Sequence, residues 1–280
     1  MKPDAPGRKK HSRYKIPRPF LKWVGGKTQI LHELQESIQE FDGRYLEPFV
    51  GGGALFFQLD FSKATISDTN RELIDCYVVV RDNVEELIET LKEHVYEKDY
   101  YYKVRALDPD GLDSVSRAAR MIFLNKAGFN GLYRVNNKGK FNVPFGRYKN
   151  PTICDEDNLR GCSTVLHNID VVCASFDSVL DSARKGDFVY FDPPYVPVSD
   201  TAHFTSYQKN GFSEDDQKRL VDVFDELSRR HIPAMLSNSD VPWIHEHYRN
   251  HNIRIIKARR SVNSKANRRG FVGEVIVTNY

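Results

Sequence analysis

Residues 44–50 have the pattern of a strand, which runs into Gly51, Gly52 and Gly53 and then into a helical pattern at residues 53–59. A strand that ends in glycines and continues as a helix is how nucleotide-binding α/β sheets begin. Glycines at such a turn let a ligand approach the main chain closely. This feature predicts an open sheet with a ligand site at the end of an early strand, and the alternative is a tight turn without a ligand.

Strand and helix patterns alternate along most of the chain. β-branched and aromatic runs predict strands, and apolar residues spaced i, i+3, i+4 predict helices. The predicted strands are 64–67, 170–173, 187–191, 234–236, 253–257 and 275–278. The predicted helices are 28–40, 73–102, 114–126 and 216–229, and residues 128–151 are expected to form an ordered loop or hairpin. The alternation indicates an α/β fold.

A mainly helical middle section interrupts the alternation and indicates an inserted subdomain. We expect a basic tail at residues 1–17, a sheet domain made of residues 18–70 and 156–280, and a helical insertion at residues 71–155.

Basic residues are concentrated in three segments, although the formal net charge is only +3. Residues 1–27 carry nine Lys/Arg and one acidic residue, residues 125–149 carry six Lys/Arg and no acidic residue, and residues 254–269 carry seven and none. A polyanionic partner explains the segments if they converge in space. If they do not converge, they are three solvated stretches, and charge alone does not decide between the two.

Several classes of protein are not indicated. No apolar run approaches the roughly 20 residues that cross a bilayer, and the basic N-terminal segment has no apolar core of a secretory signal. The four cysteines form no CxxC pair, so neither a zinc site nor a disulfide framework is expected. We expect a cytoplasmic protein with reduced thiols, no metal and no membrane partner.

The glycine turn favours a nucleoside ligand without a pyrophosphate. A dinucleotide fingerprint requires a third glycine where this chain has Phe56. Asp68 ends the next predicted strand, 17 residues after Gly51, which is close to the spacing of a carboxylate that binds ribose hydroxyls.

Gly26-Lys27-Thr28 is a weak match to a phosphate-binding loop. Such a loop requires a glycine where this chain has Leu21, and no strand precedes it. Trp23 and Lys27 are then either an apolar wall and a cation near a ligand carboxylate, or a core tryptophan and a surface lysine.

Asp192-Pro193-Pro194-Tyr195 follows the predicted strand at residues 187–191. Ligands in open α/β sheets bind at the carboxyl ends of strands. A carboxylate and a main-chain carbonyl can accept the two N–H bonds of an exocyclic amino group, which aims the nitrogen lone pair. The prolines fix the turn and offer only carbonyls, and Tyr195 can stack on a base. The tetrapeptide predicts a site that activates an exocyclic amino group as a nucleophile, and the alternative is a rigid turn.

Asp-Pro-Pro-Tyr together with Phe-x-x-Gly-x-Gly resembles the amino-group methyltransferases that use S-adenosylmethionine. The glycine motif comes first and Asp192 last, which is similar to the order in their alpha group. Residues 18–280 resemble the DNA adenine methylase (Dam) family more narrowly. The motifs that carry the resemblance are Phe20-Leu-Lys-Trp-Val-Gly-Gly-Lys27, Glu47-Pro-Phe-Val-Gly-Gly-Gly53, Ser67-Asp-Thr-Asn70, Phe129-Asn-Gly-Leu-Tyr-Arg134, Phe141-Asn-Val-Pro-Phe-Gly-Arg-Tyr148, Phe204-Thr-Ser-Tyr207, Leu236-Ser-Asn-Ser239 and Ile276-Val-Thr-Asn-Tyr280.

The resemblance implies a Rossmann-like S-adenosylmethionine-dependent methyltransferase sheet with an inserted target-recognition subdomain. It also implies transfer of a methyl group to a flipped adenine in duplex DNA, with GATC as the target. The donor-binding residues that it implies are Trp23, Lys27, Phe49, Gly51, Asp68, Phe176 and Asp192. The catalytic residues that it implies are Asp192, Pro193, Pro194 and Tyr195.

The resemblance also implies which residues contact DNA. Lys22 and Arg134 match positions that contact guanine, and Arg or Lys to guanine is the commonest direct readout; for Arg134 the alternative is a phosphate contact or a solvated charge. By the same logic Asn130 is a partner for adenine. Phe129 and Leu132 are candidates to fill the gap that the extruded base leaves in the duplex. The family usually has Tyr at the position of Phe129, so a phenylalanine can still stack on a base there but cannot make a hydroxyl contact. Arg147 lies in the second basic segment and completes the DNA-binding set.

Two other readings remain open at this stage. In the first, the enzyme methylates a different acceptor, either cytosine N4 in DNA or adenine N6 in RNA. In the second, the chain is a sequence-specific DNA-binding protein that has lost catalysis. The resemblance further implies a prokaryotic or phage-encoded enzyme, with a cognate restriction endonuclease as a functional partner if it belongs to a restriction-modification system.

Overall fold

The structure is a computed structural model that describes residues 16–27, 29–59, 61–198, 212–259 and 271–280. In these residues seven strands form one mixed sheet in the order β3-β2-β1-β4-β5-β7-β6. The strands are β1 (Tyr45–Glu47), β2 (Ala64–Asp68), β3 (Asp170–Cys173), β4 (Phe188–Phe191), β5 (Ala234–Ser239), β6 (Asn252–Arg259) and β7 (Phe271–Thr278). The expected α/β class is confirmed, and the order of the first five strands is that of a Rossmann-like sheet.

Helices and short 3-10 turns connect the strands. The helices are α1 (Leu31–Ser37), α2 (Ala54–Leu59), α3 (Arg71–Asp82), α4 (Val84–Lys92), α5 (Lys98–Ala106), α6 (Ser114–Ala127), α7 (Glu156–Leu166), α8 (Val179–Ser182), α9 (Glu214–Arg229) and α10 (Pro242–His247). The 3-10 turns are Pro109–Gly111, Phe129–Gly131 and Phe176–Ser178. None of the helices in the described part of the chain combines the length and the apolar character needed to cross a membrane.

The strand order reverses between β1 and β4. β1 pairs in parallel with β2 on one side and with β4 on the other, with Tyr45 opposite Phe188 and Leu46 opposite Val189. The chain segments that leave β1 and β4 therefore emerge next to each other at the carboxyl edge. This edge is where open α/β sheets bind ligands.

The central strands are buried on both faces. In β4 all four residues are buried, and successive residues belong to two different hydrophobic clusters, Phe188 and Tyr190 to one and Val189 and Phe191 to the other. This division follows from the alternation of side chains along a strand. Parallel strands covered on both faces hold the carboxyl edge in a rigid frame.

The helices of the middle section pack on the sheet and on one another. α3 contacts α6, α7 and the edge strand β3, and α4 contacts α6 and α7. A separate cluster that includes Tyr101, Phe123, Phe141 and Val143 lies between α5, α6 and the loop at residues 128–151. Two isolated bridges, Gly128 with Phe145 and Val135 with Phe141, give this loop its hairpin character.

Several elements differ from their predicted bounds. The helical pattern at 73–102 is divided among α3, α4 and α5. Asn83 has a non-helical φ of −133° and separates α3 from α4. α1 is shorter than predicted because Ile38 is extended. α7 was not predicted, since its sequence is largely polar, but the side chain of Asp155 accepts a hydrogen bond from Asn158 N and caps it.

The last two strands are longer than the sequence patterns predicted. β6 and β7 pair over their full lengths, from Asn252 opposite Thr278 to Arg259 opposite Phe271. The half of this antiparallel pair farther from Asn252 and Thr278 contains polar and basic residues, so the sequence there lacks the β-branched and aromatic pattern that predicts a strand. The predictions for residues 1–15, the motif at 204–207 and the basic residues 260–269 lie outside the described residues.

Candidate active site

Asp192 lies directly after β4, at the edge where β1 and β4 meet. Its Oδ1 lies 2.6 Å from the ammonium of Lys27, and Ser237 Oγ on β5 donates a hydrogen bond to the same oxygen over 3.1 Å. Burial raises the pKa of the Asp192 carboxyl, and the adjacent Lys27 opposes that rise. The sequence reading of Lys27 as a surface residue is wrong, because only 8% of its side chain is exposed.

Lys27 brings the carboxylate and the aromatic ring of the tetrapeptide together. Its ammonium donates to Gly25 O over 2.6 Å and lies 4.5 Å from the centre of the Tyr195 ring. The Tyr195 hydroxyl donates to Glu274 Oε2 on β7 over 3.1 Å. Burial, followed by the charges of Asp192 and Glu274, raises the pKa of the Tyr195 phenol well above its usual value. Tyr195 is therefore a neutral ring with a fixed orientation.

Polar residues from β5 and α9 hold the backbone of the tetrapeptide. Gln217 Nε2 donates to the carbonyl of Pro194 over 2.8 Å. Asn238 Oδ1 accepts from Val196 N over 2.9 Å and from Ser239 N over 2.8 Å. The turn that presents the Pro193 carbonyl is thus fixed by side chains as well as by its prolines.

Ser237 continues the network behind Asp192. Its hydroxyl is 2.9 Å from that of Tyr190, and both side chains are buried. Sequence reasoning had assigned no role to Ser237, Gln217 or Glu274. The polar run Ser237-Asn238-Ser239 directly follows an apolar strand pattern, and this placement is the sequence signal that points to Ser237 and Asn238.

The glycine turn after β1 is tied to Asp68. Gly51 has a φ of +47°, which favours glycine, and its N–H donates to Asp68 Oδ2 over 3.2 Å. Asn70 N donates to Asp68 Oδ1 over 2.9 Å. Burial raises the pKa of the Asp68 carboxyl. The structure therefore places the two residues separated by 17 positions in direct contact, at the ends of neighbouring strands.

Aromatic side chains border this turn. A Cβ built on Gly51 would lie 2.7 Å from Trp23 Cδ1, so the Trp23 ring packs directly on the turn. Phe49 stacks on Phe176 with ring centres 5.4 Å apart and planes 19° apart. Phe212 meets both rings edge-on, each at 5.5 Å. Trp23 and the Phe49–Phe176 pair thus contribute apolar surface near the carboxyl ends of β1 and β2.

The residues expected to read DNA lie on the hairpin loop at residues 128–151. Phe129 is 50% exposed, Asn130 adopts a positive φ of 54°, and Leu132 is half-buried. Exposed Arg134 donates a hydrogen bond from Nε to Asn142 Oδ1 over 2.6 Å, which fixes the orientation of its guanidinium group. Exposed Arg147 lies farther along the same loop.

Lys22 lies against this loop although it is distant in sequence. Its ammonium is 4.4 Å from the centre of the Tyr148 ring. Asn125 accepts from Lys22 N and donates to Lys22 O, each over 2.8 Å, and its amide also donates to Gly131 O over 2.9 Å. The structure therefore brings Lys22 and the loop together.

Two of the three basic segments converge on a surface pocket. Arg18 and Lys22 of the first segment and Lys126 and Lys149 of the second line it, together with Tyr148. Lys126 is half-buried, and burial followed by the charge of Lys22 lowers its pKa. Convergence favours a polyanionic partner over separate solvated stretches. In the described part of the chain, no group of three or more His, Cys, Asp or Glu side chains is placed to hold a metal ion.

Comparisons with known proteins identify the family. The model of the D12 class N6 adenine-specific DNA methyltransferases matches residues 23–262. The chain is 48% identical over 271 residues to the type II methyltransferase M1.LlaDCHI of Lactococcus lactis subsp. cremoris, covering 94% of this chain and 95% of that protein. It is 44% identical to the type II methyltransferase M.MjaIII of Methanocaldococcus jannaschii (94% and 99% covered) and 35% identical to the DNA adenine methylase of Escherichia coli K12 (92% and 94% covered). The chain therefore belongs to the D12 class of N6 adenine-specific DNA methyltransferases.

Proposed function

We propose that this enzyme transfers the methyl group of S-adenosylmethionine to N6 of an adenine that has left the DNA duplex, with GATC as the target sequence. The observation that carries the proposal is the position of Asp192. Its carboxylate lies at the junction of β1 and β4, held by Lys27 and Ser237, at the edge that also carries the glycine turn. A positioned acceptor beside a nucleoside-type turn is what methylation of a base amino group requires.

The residues at the glycine turn fit a sulfonium nucleoside donor. Asp68 is a half-buried carboxylate that already accepts from two main-chain N–H groups and retains lone pairs for ribose hydroxyls. Phe49, Phe176 and Trp23 offer aromatic surface for a purine and for a sulfonium cation. The donor supplies an electrophilic methyl group whose carrier loses its positive charge during transfer.

The chain's own residues orient the acceptor amino group. Asp192 and the Pro193 carbonyl accept its two N–H bonds, which directs the lone pair, and Tyr195 stacks on the base. Glu274 and Lys27 fix the Tyr195 ring, and Gln217 fixes the turn. Asp192 acts as an orienting acceptor, because the amino nitrogen would carry the positive charge once methylated and would then be acidic enough to release one proton without a strong base. Positioning supplies most of the acceleration.

DNA recognition is assigned to the hairpin loop and Lys22. We assign Lys22 and Arg134 to contacts with guanine, Asn130 to a contact with adenine, and Phe129 and Leu132 to filling the gap left by the extruded base. Arg147 and the basic pocket are assigned to phosphates, since two basic segments converge there. We assign residues 71–155 to an inserted target-recognition domain and residues 18–70 and 156–280 to the catalytic domain.

The relatives support a proposal about the biological setting. They are proteins of bacteria and an archaeon, which favours a cytoplasmic enzyme of a prokaryote or a phage. The names of two relatives at 48% and 44% identity, both type II methyltransferases, favour the modification half of a restriction-modification system with a cognate endonuclease as functional partner.

The test is transfer of tritium from labelled S-adenosylmethionine to a GATC duplex, followed by analysis of the product nucleoside. We expect N6-methyladenine, no label in a duplex with the target adenine replaced, and no label with Asp192→Ala. Asp215→Ala, at an exposed position on α9, is the control and should keep full activity. N4-methylcytosine, preference for RNA, or binding of DNA without transfer would each replace the proposal with another function.

A further inference from the structure

Tyr133 lies in the DNA-reading loop, between Leu132 and Arg134, but its ring contacts the proposed donor pocket. It stacks on Trp23 with ring centres 5.5 Å apart and planes 27° apart. Trp23 in turn packs on Gly51, where an added Cβ would lie 2.7 Å from Trp23 Cδ1. One aromatic stack therefore connects the loop to the turn assigned to the donor.

The Tyr133 hydroxyl reaches the same pocket by a second path. It donates to Glu72 Oε2 over 2.8 Å, and Glu72 lies in the first turn of α3. Asn70 caps that helix through a hydrogen bond from Leu73 N and is itself held by Asp68. Asp68 also accepts from Gly51 N, so both series of contacts that start at Tyr133 end at Gly51, in the turn assigned to the donor.

The loop side of the stack is equally constrained. The ring of Phe141 meets Tyr133 edge-on at 5.9 Å, and Phe141 forms the bridge with Val135 that closes the hairpin. Lys22, assigned to guanine, precedes Trp23 directly in sequence. A shift of Trp23 upon donor binding would therefore act on both elements that read DNA, through Lys22 and through Tyr133.

Two sites that share a packed element have coupled binding free energies, and the coupling is reciprocal. We propose that Tyr133 is a positioning residue whose ring, through its stack on Trp23, couples donor binding to target recognition. This inference depends on the proposed function, since it requires one donor site and one DNA site. An occupied donor site holds Trp23 against Tyr133 and orders the loop for the target duplex. An empty site leaves the loop less well ordered, and the duplex then binds more weakly.

The experiment measures a coupling factor, the ratio of duplex Kd values without and with saturating S-adenosylhomocysteine. Fluorescence anisotropy of a labelled duplex with one GATC site gives both values without turnover. We expect at least about a fivefold factor for the unaltered enzyme, in the ordinary range of such couplings. Tyr133→Leu should reduce the factor to about one, because the stack is removed. Tyr133→Phe keeps the ring and should retain most of the coupling.

Control variants separate coupling from folding. Tyr102→Leu removes a half-buried ring from the neighbouring helix α5 and should leave the factor unchanged. Four results would overturn the inference. The first three are a factor near one in the unaltered enzyme, an unchanged factor in Tyr133→Leu, and equal loss in Tyr133→Phe and Tyr133→Leu. The fourth is a loss of S-adenosylhomocysteine affinity in DNA-free Tyr133→Leu that is as large as the loss of coupling. An unaltered enzyme that binds neither ligand contradicts the proposed function instead.

Discussion

The ammonium of Lys27 lies 2.6 Å from Oδ1 of Asp192, with 8% of the lysine side chain and 20% of the aspartate side chain exposed. A buried ion pair contributes little net stability, but removal of one partner leaves the other charge uncompensated. The pair therefore has two separable consequences. Lys27 opposes the rise in the pKa of the Asp192 carboxyl that burial causes, and the pair binds the segment at residue 27 to the end of β4.

Asp192→Ala should abolish methyl transfer and also destabilise the protein by about 3 kcal/mol, because Lys27 loses its buried partner. The double variant Asp192→Ala/Lys27→Met should regain most of the lost stability but none of the activity. Urea unfolding and single-turnover methylation measure the two effects separately. If stability and activity returned together in the double variant, Asp192 would have a structural role only.

Tyr195 tests whether stacking or the hydroxyl matters. Tyr195→Phe keeps the ring and loses the hydrogen bond to Glu274. Because one hydrogen bond contributes about 0.5–1.5 kcal/mol, kcat/KM should fall by less than about tenfold. Tyr195→Ala removes the stacking surface, worth about 1–3 kcal/mol per base, and should lower kcat/KM by about 5- to 150-fold. Fluorescence of 2-aminopurine at the target position reports base extrusion. Equal losses in the two variants would assign the effect to the hydroxyl.

The parts of the site that could be predicted are those whose residues belong to a local sequence pattern. β1, the glycine turn and Asp68 follow from strand character and a spacing of 17 residues, and Asp192 follows from a turn after an apolar strand. The contact of Lys27 with Asp192 joins residues that are distant in the chain, and no local pattern encodes it. The contact forms because the segment before α1 packs against the carboxyl edge of the sheet.

Ser237 and Gln217 escaped prediction for a related reason. Each is a polar residue within an otherwise ordinary strand or amphipathic helix, and its burial depends on the tertiary packing around it. The same holds for α7, whose start depends on the cap at Asp155 and whose apolar face is defined only by α3 and α4.

Glu47 gives a prediction for pH-dependent stability. Burial, partly opposed by the hydrogen bond from the Tyr45 hydroxyl, raises the pKa of this carboxyl from 4.5 to about 8. Between these values the folded state holds a proton that the unfolded state has released, so the free energy of unfolding falls as pH rises. The contribution is fully present below about pH 4.5, declines by up to about 1.4 kcal/mol per pH unit, and is lost above about pH 8.

Glu47→Gln should flatten that decline, because the amide resembles the protonated carboxyl and still accepts from Tyr45. Urea unfolding across the window compares the variant with the unaltered enzyme. Glu86→Gln, at an exposed position on α4, is a matched substitution that should leave the slope unchanged. Equal slopes for Glu47→Gln and the unaltered enzyme would show that Glu47 is ionised in the folded state.

Arg134 and Lys149 should differ in how they affect DNA binding. Arg134, held by Asn142, is assigned to a guanine edge, so Arg134→Ala should weaken binding to GATC by about 1–3 kcal/mol and relax discrimination at that base pair. Lys149 lines the basic pocket, so Lys149→Ala should weaken all duplexes alike and reduce the slope of log K against log salt by about one. Anisotropy titrations of GATC and base-substituted duplexes over a salt series give both quantities. If Arg134→Ala weakened every duplex equally and reduced the salt slope, Arg134 would be a phosphate contact, and the specificity of the loop would then depend on Lys22 and Asn130.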